Sequence, residues 1–125
     1  MEWNFRSDLP IYSQLVERIK LGIVSGSLRP GERLPSVRDM AAEAGVNPNT
    51  MQRALQELER DGMVYAQRTA GRFVTEDMRV IEHTKKQFAE EQIRSFLDAM
   101  GKLGYRREEI LSLLAEEKEE EHGNT

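Results

Sequence analysis

The sequence contains no cysteine, which removes disulfides, thiol catalysis, iron–sulfur clusters and thiolate zinc sites together. It also has no apolar run of about 18 residues, the length a helix needs to cross a bilayer, so no membrane partner is expected. The N-terminus lacks a basic stretch followed by an apolar core and a small-residue cleavage site, and the expected location is therefore the cytoplasm. Glycine and proline number only 9 and 4, which excludes collagen-like and low-complexity classes. Histidine is scarce: His83 and His122 stand far apart, and only Glu82 accompanies His83, so neither a metal site nor a proton relay is expected. No strand-to-helix nucleophile turn and no glycine-rich phosphate loop is present. Catalytic residues and cofactors are not expected.

What remains is a chain of 125 residues with 38% hydrophobic and 32% charged side chains, enough for one compact domain and an extension. Its net charge of −4 argues on its face against nucleic acid. The distribution of charge argues the other way. Residues 1–80 carry 11 basic and 11 acidic side chains, whereas residues 81–125 carry 7 and 11. Ten of the 11 bases in the first stretch are arginine, the side chain suited to bidentate contact with phosphates and guanine edges.

Ile11, Leu15, Ile19 and Ile23 recur every four residues, with Val16 widening the stripe, and predict a helix over 11–25 entered at Asp8 and Pro10. Ser36, three residues before Asp39, caps a short second helix over 37–44 that stops at Gly45. Asn47 and Pro48 open a third helix that runs to Arg60, with Met51, Ala54, Leu55 and Leu58 facing inward. A short helix, a tight turn and a longer helix make a helix-turn-helix. Alternation follows: Met63, Tyr65 and Gln67 form one arm, and residues 72–75 the other, with Thr69, Ala70 and Gly71 as the loop. Phe73 and Val74 are the expected anchors of this hairpin, which is marginal alone and must pack on the helices. The predicted fold is mainly α with a small β-hairpin, a winged helix-turn-helix within residues 1–76. Residues 77–125 then form two helices with an acidic tail at 116–121. One stripe is Phe88, Ala89, Ile93, Phe96, Leu97 and Met100, interrupted at Gly101 and Gly104; the other is Ile110, Leu111, Leu113 and Leu114. Two such helices cannot cover their apolar faces against each other, so a second copy of the chain is the expected partner. Phe88, Ile93, Phe96, Leu97, Met100, Ile110, Leu111 and Leu114 are the expected dimerisation residues. Trp3 and Phe5 either cover that dimer core or fasten the N-terminus.

The string from Leu28 to Arg38, followed by Gly45 to Thr50, Ala54 to Gly62 and Gly71-Arg72-Phe73-Val74, closely resembles the GntR family of bacterial transcription regulators over about residues 9–76. The short helical tail resembles the YtrA-type subgroup, whose members are dimeric repressors. The resemblance implies a sequence-specific repressor that binds a palindromic operator in double-stranded DNA. This chain departs from the usual family pattern in having Pro48 and Gln52 where basic residues are common, Thr69 where glycine is common, and Arg72 where threonine is common. Gln52 is able to read adenine bidentately.

The major groove admits one helix, whose N-terminal turn meets the base edges. Asn49, Thr50, Gln52 and Arg53 occupy that turn, and Asn47 serves first as its cap. Arg38, at the start of the second helix, and Ser36 are candidates for the phosphate backbone, while Arg68, Thr69, Gly71 and Arg72 form a wing tip without a carboxylate. The plainer reading of each is a solvated face, a cap or an ordinary turn. Two rival functions are a winged helix turned into a protein–protein module and, further off, a small hydrolase. A small-molecule effector would have only the dimer seam or the space between tail and winged helix to occupy, and no polar cluster names one.

Overall fold

The computed structural model describes residues 1–117. The expected first stripe forms α1 (Ile11–Ser25), which buries Leu15, Val16, Ile19 and Ile23. Ile11 at its start is exposed, because it lies one turn beyond the apolar surface that covers the others. Asp8 does not cap this helix; it pairs with Arg6 at 2.7 Å. The entrance is instead fastened by Gln14, whose Nε2 donates to the Arg6 and Leu9 carbonyls at 2.8 and 3.0 Å while its Oε1 accepts from the Arg6 amide at 2.7 Å.

α2 (Val37–Ala44) begins where the Ser36 hydroxyl accepts the Asp39 amide at 3.1 Å, satisfying one of the orphan donors of a helix start. α3 (Pro48–Arg60) begins where the Asn47 side chain accepts the Asn49 amide at 2.7 Å. Proline at its first position has no amide to satisfy. Leu15, Ile19, Ile23, Met51, Leu55, Leu58, Met63 and Val74 are almost wholly shielded from solvent and form the centre of one core.

The wing pairs β1 (Val64–Gln67) with β2 (Gly71–Val74), antiparallel, with Tyr65 opposite Phe73 and Gln67 opposite Gly71. Gly71, expected in the loop, is therefore the first strand residue, and the loop is residues 68–70. The hairpin also gains a support that periodicity did not indicate, because residues 31–34 run beside β2. The Leu34 amide donates to the Arg72 carbonyl, the Val74 amide to the Glu32 carbonyl and the Gly31 amide to the Val74 carbonyl, all at 2.9 Å. A third extended segment satisfies the open edge of β2.

α4 (Met78–Lys102) starts at Asp77, which accepts the Arg79 amide at 3.0 Å. The hydrogen bond from the Arg79 side chain, with that amide, holds the Asp77 carboxyl below its usual range. The sign follows: this cap supports folding above the ordinary carboxylate range and is lost as pH falls through the depressed value. Ile81 is buried, and the Thr84 hydroxyl donates to Met63 Sδ at 3.2 Å. The N-terminal unit consequently extends over Met1–Lys86, past residue 76. Trp3 and Phe5 belong to it. Their rings stack with centroids 6.2 Å apart and pack on its core, so they fasten the N-terminus, although the indole N–H of Trp3 is left without a partner. Arg18 Nε adds a bond to the Glu2 carbonyl at 2.7 Å.

The second unit begins at Gln87. Gly101 does not interrupt α4, which passes through it to Lys102. Gly104 ends it, at a φ of 96° that a side chain would strain. α5 (Arg107–Glu116) follows, with the Glu109 carboxylate accepting the Arg106 amide at 2.8 Å. Most of the acidic run and His122 lie outside the described residues, which end at Glu117.

Two substitutions test this account. Leu58→Ala should lower unfolding free energy by about 3 kcal/mol through the cavity it leaves, and Ser36→Ala by about 1 kcal/mol through the lost cap. Both are read as urea midpoints at constant m-value; an unshifted midpoint for Ser36→Ala would refute the cap.

Candidate nucleic-acid interface

Helical periodicity decides what α3 shows to solvent. Met51, Ala54, Leu55 and Leu58 are drawn into the core, so Asn49 and Arg53 are exposed and Thr50 and Gln52 half-buried at its opening turns. The cap bond commits one Asn47 oxygen lone pair to the helix and leaves the residue exposed. Ser36 is likewise exposed and committed to its cap, and Arg38 is exposed one residue into α2. The start of α1 lies beside this turn: Pro10, Ile11 and Tyr12 form a surface cleft with Asn49, Thr50 and Arg53. Within it the Arg53 guanidinium lies over the Tyr12 ring, with Cζ 3.7 Å from the centroid, a cation–π contact.

The two expected wing arginines, Arg68 and Arg72, stand in different surroundings. Arg68 and Thr69 are exposed in the loop. Arg72 turns back: its Nε bonds the Glu59 carboxylate of α3, and the two side chains retain only 19% and 30% of their exposure. It is a strut between wing and α3. Arg33, which was not among the expected site residues, is exposed and lies beside β2 next to Gly71. Gly71 has a φ of 106°, and a Cβ there would stand 3.2 Å from Arg33 Nε; the missing side chain lets Arg33 lie across the wing. No alternation in Gly31-Glu32-Arg33-Leu34-Pro35 signals this place in the sequence; the backbone bonds of residues 31–34 to β2 set it. Tyr65 and Phe73 stack across the strands with centroids 5.7 Å apart, while Val74 alone of the two expected anchors is fully buried. Arg33, Arg38, Arg53 and Arg68 form no ion pair among the described residues.

Residues 11–74 match the family described as bacterial regulatory proteins, gntR family. The chain belongs to the GntR family. The HTH-type transcriptional repressor YtrA of Bacillus subtilis (strain 168) is 34% identical over 93 residues, spanning 74% of this chain and 72% of that protein. That agrees with the YtrA-type resemblance of the tail. A GntR family transcriptional regulator from Listeria monocytogenes has a TM-score of 0.81 at 38% identity, covering 91% of this chain and 100% of the other. AraR(DBD), solved in complex with operator ORX1, has a TM-score of 0.55 at 28% identity over 60% of this chain and 96% of the other. The present chain is a GntR transcriptional regulator built on a winged helix-turn-helix, and not an enzyme.

Elsewhere in this GntR chain the expected dimerisation residues fall into three groups. Ile93, Phe96, Leu111 and Leu114 are exposed, Phe88, Leu97 and Met100 half-buried, and Ile110 buried within the protomer. Leu103 is 72% exposed. His83 is exposed on α4. Among the described residues no three His, Asp or Glu side chains gather as a metal set, and no helix is long and apolar enough to cross a membrane.

The strut has a measurable signature. Arg72→Ala and Glu59→Ala should each destabilise the fold modestly, and their double-mutant cycle should give a coupling of about 0.5–1 kcal/mol. Strict additivity in urea unfolding would show that the two side chains do not hold each other.

Proposed function

We propose that the chain is a homodimeric, cytoplasmic repressor that occupies a palindromic operator. Each protomer lays the opening turns of α3 into a major groove, with Asn49, Thr50, Gln52 and Arg53 toward the bases and phosphates. Arg38 and Ser36 approach the backbone beside it. The wing approaches the adjacent backbone or minor groove through Arg68 and Thr69 of its loop, with Gly71 at the start of β2 and Arg33 beside it. Arg72 and Asn47 support that surface from behind, as strut and cap. The observation that carries the reading is the outward-facing start of α3 with Arg53 exposed and in no ion pair among the described residues, together with Arg33, Arg38 and Arg68, also exposed and in none, a side chain suited to phosphate oxygens and guanine edges. That AraR(DBD), a chain of similar fold, is solved in complex with an operator supports DNA as the partner.

The second copy is argued from the second unit. The pair formed by the end of α4 and α5 is too small to enclose a core of its own, and Ile93, Phe96, Leu103, Leu111 and Leu114 are left in water. Exposed apolar side chains on consecutive amphipathic helices mark an interface, and a self-complementary one gives two-fold symmetry. Two-fold symmetry then sets operator half-sites roughly one helical turn, about 10 bp, apart.

In vitro selection from a random duplex pool, followed by titration of the recovered duplex at several salt concentrations, tests the DNA reading. Affinity should fall with a log–log slope of about −0.9 per neutralised phosphate. Salt-independent binding, or no enrichment at all, would favour a protein–protein module. Phe96→Glu should convert the particle to a monomer in sedimentation and weaken binding to the full palindrome; a dimer that survives this change and Ile93→Glu overturns the proposed seam.

A further inference from the structure

We propose that Tyr12 is a positioning residue for DNA recognition: its ring holds the Arg53 guanidinium flat, so that the edge of the guanidinium, and not its face, is offered to the duplex. The inference rests on the reading of α3 as the groove helix and adds to it a residue on a different helix.

Three observations carry it. First, Cζ of Arg53 stands 3.7 Å from the Tyr12 centroid, the separation of carbon surfaces in contact. An arginine whose face is covered in this way keeps the donors of its planar fork at the edge, where carboxylate, phosphate or guanine is recognised bidentately. Second, Arg53 forms no ion pair among the described residues, so the ring replaces a carboxylate as its restraint. A carboxylate would have occupied the edge donors; the ring leaves them open. Third, the ring is itself fixed. Tyr12 is half-buried and packs on the core, and the other end of the same helix pair is pinned by Lys20 and Asp61 at 2.9 Å. Tyr12 and Lys20 are eight residues apart on α1, and Arg53 and Asp61 are eight apart along α3 and its cap. Equal spacing on both helices means the two contacts brace one interface at two points in register. Arg53 thus meets DNA from a held conformation, and less rotamer freedom is lost on binding than for a free arginine.

The test uses the full chain and the duplex recovered by selection with the wild type, read by fluorescence anisotropy. Variants are compared at a temperature where their far-ultraviolet circular dichroism matches the wild type. Tyr12→Phe, which keeps the ring, should bind within about twofold of wild type. Tyr12→Leu should bind about three- to fivefold more weakly, within the ordering cost of one long side chain on binding. In an Arg53→Ala background Tyr12→Leu should have no further effect. The proposal is overturned if Tyr12→Leu binds like wild type. It is equally overturned if Tyr12→Phe loses as much as Tyr12→Leu, which makes the hydroxyl a direct contact, or if Tyr12→Leu weakens binding equally without Arg53, which makes its role structural. Should Tyr12→Leu not fold, the Arg53 Nε–H resonance decides: a ring-current shift upfield in wild type and Tyr12→Phe supports the stack, and its absence refutes it. Failure of the wild type to enrich any duplex sinks the DNA reading itself, before any variant is made.

Discussion

The burial of one face of α3 is the constraint from which the rest of the N-terminal unit follows. Met51, Ala54, Leu55 and Leu58 recur at spacings of three and four and are all nearly solvent-free, and a helix pinned along that stripe has no rotational freedom left. Asn49 and Arg53 then have to face outward. The burial of Leu15, Ile19 and Ile23 on α1 supplies the other wall of the same core, so one apolar surface sets both the orientation of α3 and the place of Tyr12 beside it. The polar opening turn of α3 is presented because the apolar side cannot be.

The wing depends on α3 by a second route. A two-stranded hairpin of four-residue strands would not hold an orientation on its own. Here residues 31–34 close its edge with backbone hydrogen bonds, Val74 enters the core and Arg72 reaches Glu59. These attachments differ in kind: a ladder, an apolar anchor and a partly shielded ion pair. The departure from the family pattern at position 72 thereby gains a physical meaning. A threonine there would be too short to reach α3, whereas arginine spans the gap and ties the wing to the helix it flanks.

Much of this was legible in the sequence where periodicity and caps agreed. The bounds of the first three helices follow from stripes of apolar residues and from Ser36 and Asn47, and local signals of that sort survive folding because nothing non-local competes with them. The misreadings share a cause. Arg72, Arg33 and Gln14 have roles set by what lies opposite them in space. Arg72 reads as a wing cation until Glu59, 13 residues away, is brought against it; Asp8 reads as part of the helix entrance, which Gln14 fastens while Arg6 takes the carboxylate. Trp3 and Phe5 carried no period at all, and only packing could assign them. The proposed docking face was legible as a residue class, but the placing of Arg53 over the Tyr12 ring of another helix is a long-range fact.

Net charge misleads for a related reason. A chain at −4 repels a polyanion only at distances that salt does not screen, and the Debye length at physiological ionic strength is about 8 Å. Within that radius the outcome depends on which cations keep their donors free. Carboxylates of the N-terminal unit occupy Arg6, Lys20, Arg60, Arg72 and Arg79, while Arg33, Arg38, Arg53 and Arg68 are not so occupied. Residues 1–80, with equal numbers of both signs, are therefore unequal in available donors. On the proposed reading such a surface would bind weakly at long range and selectively at contact: little electrostatic attraction would draw DNA in from afar, and discrimination would rest on how well Arg33, Arg38, Arg53 and Arg68 are held when the duplex arrives.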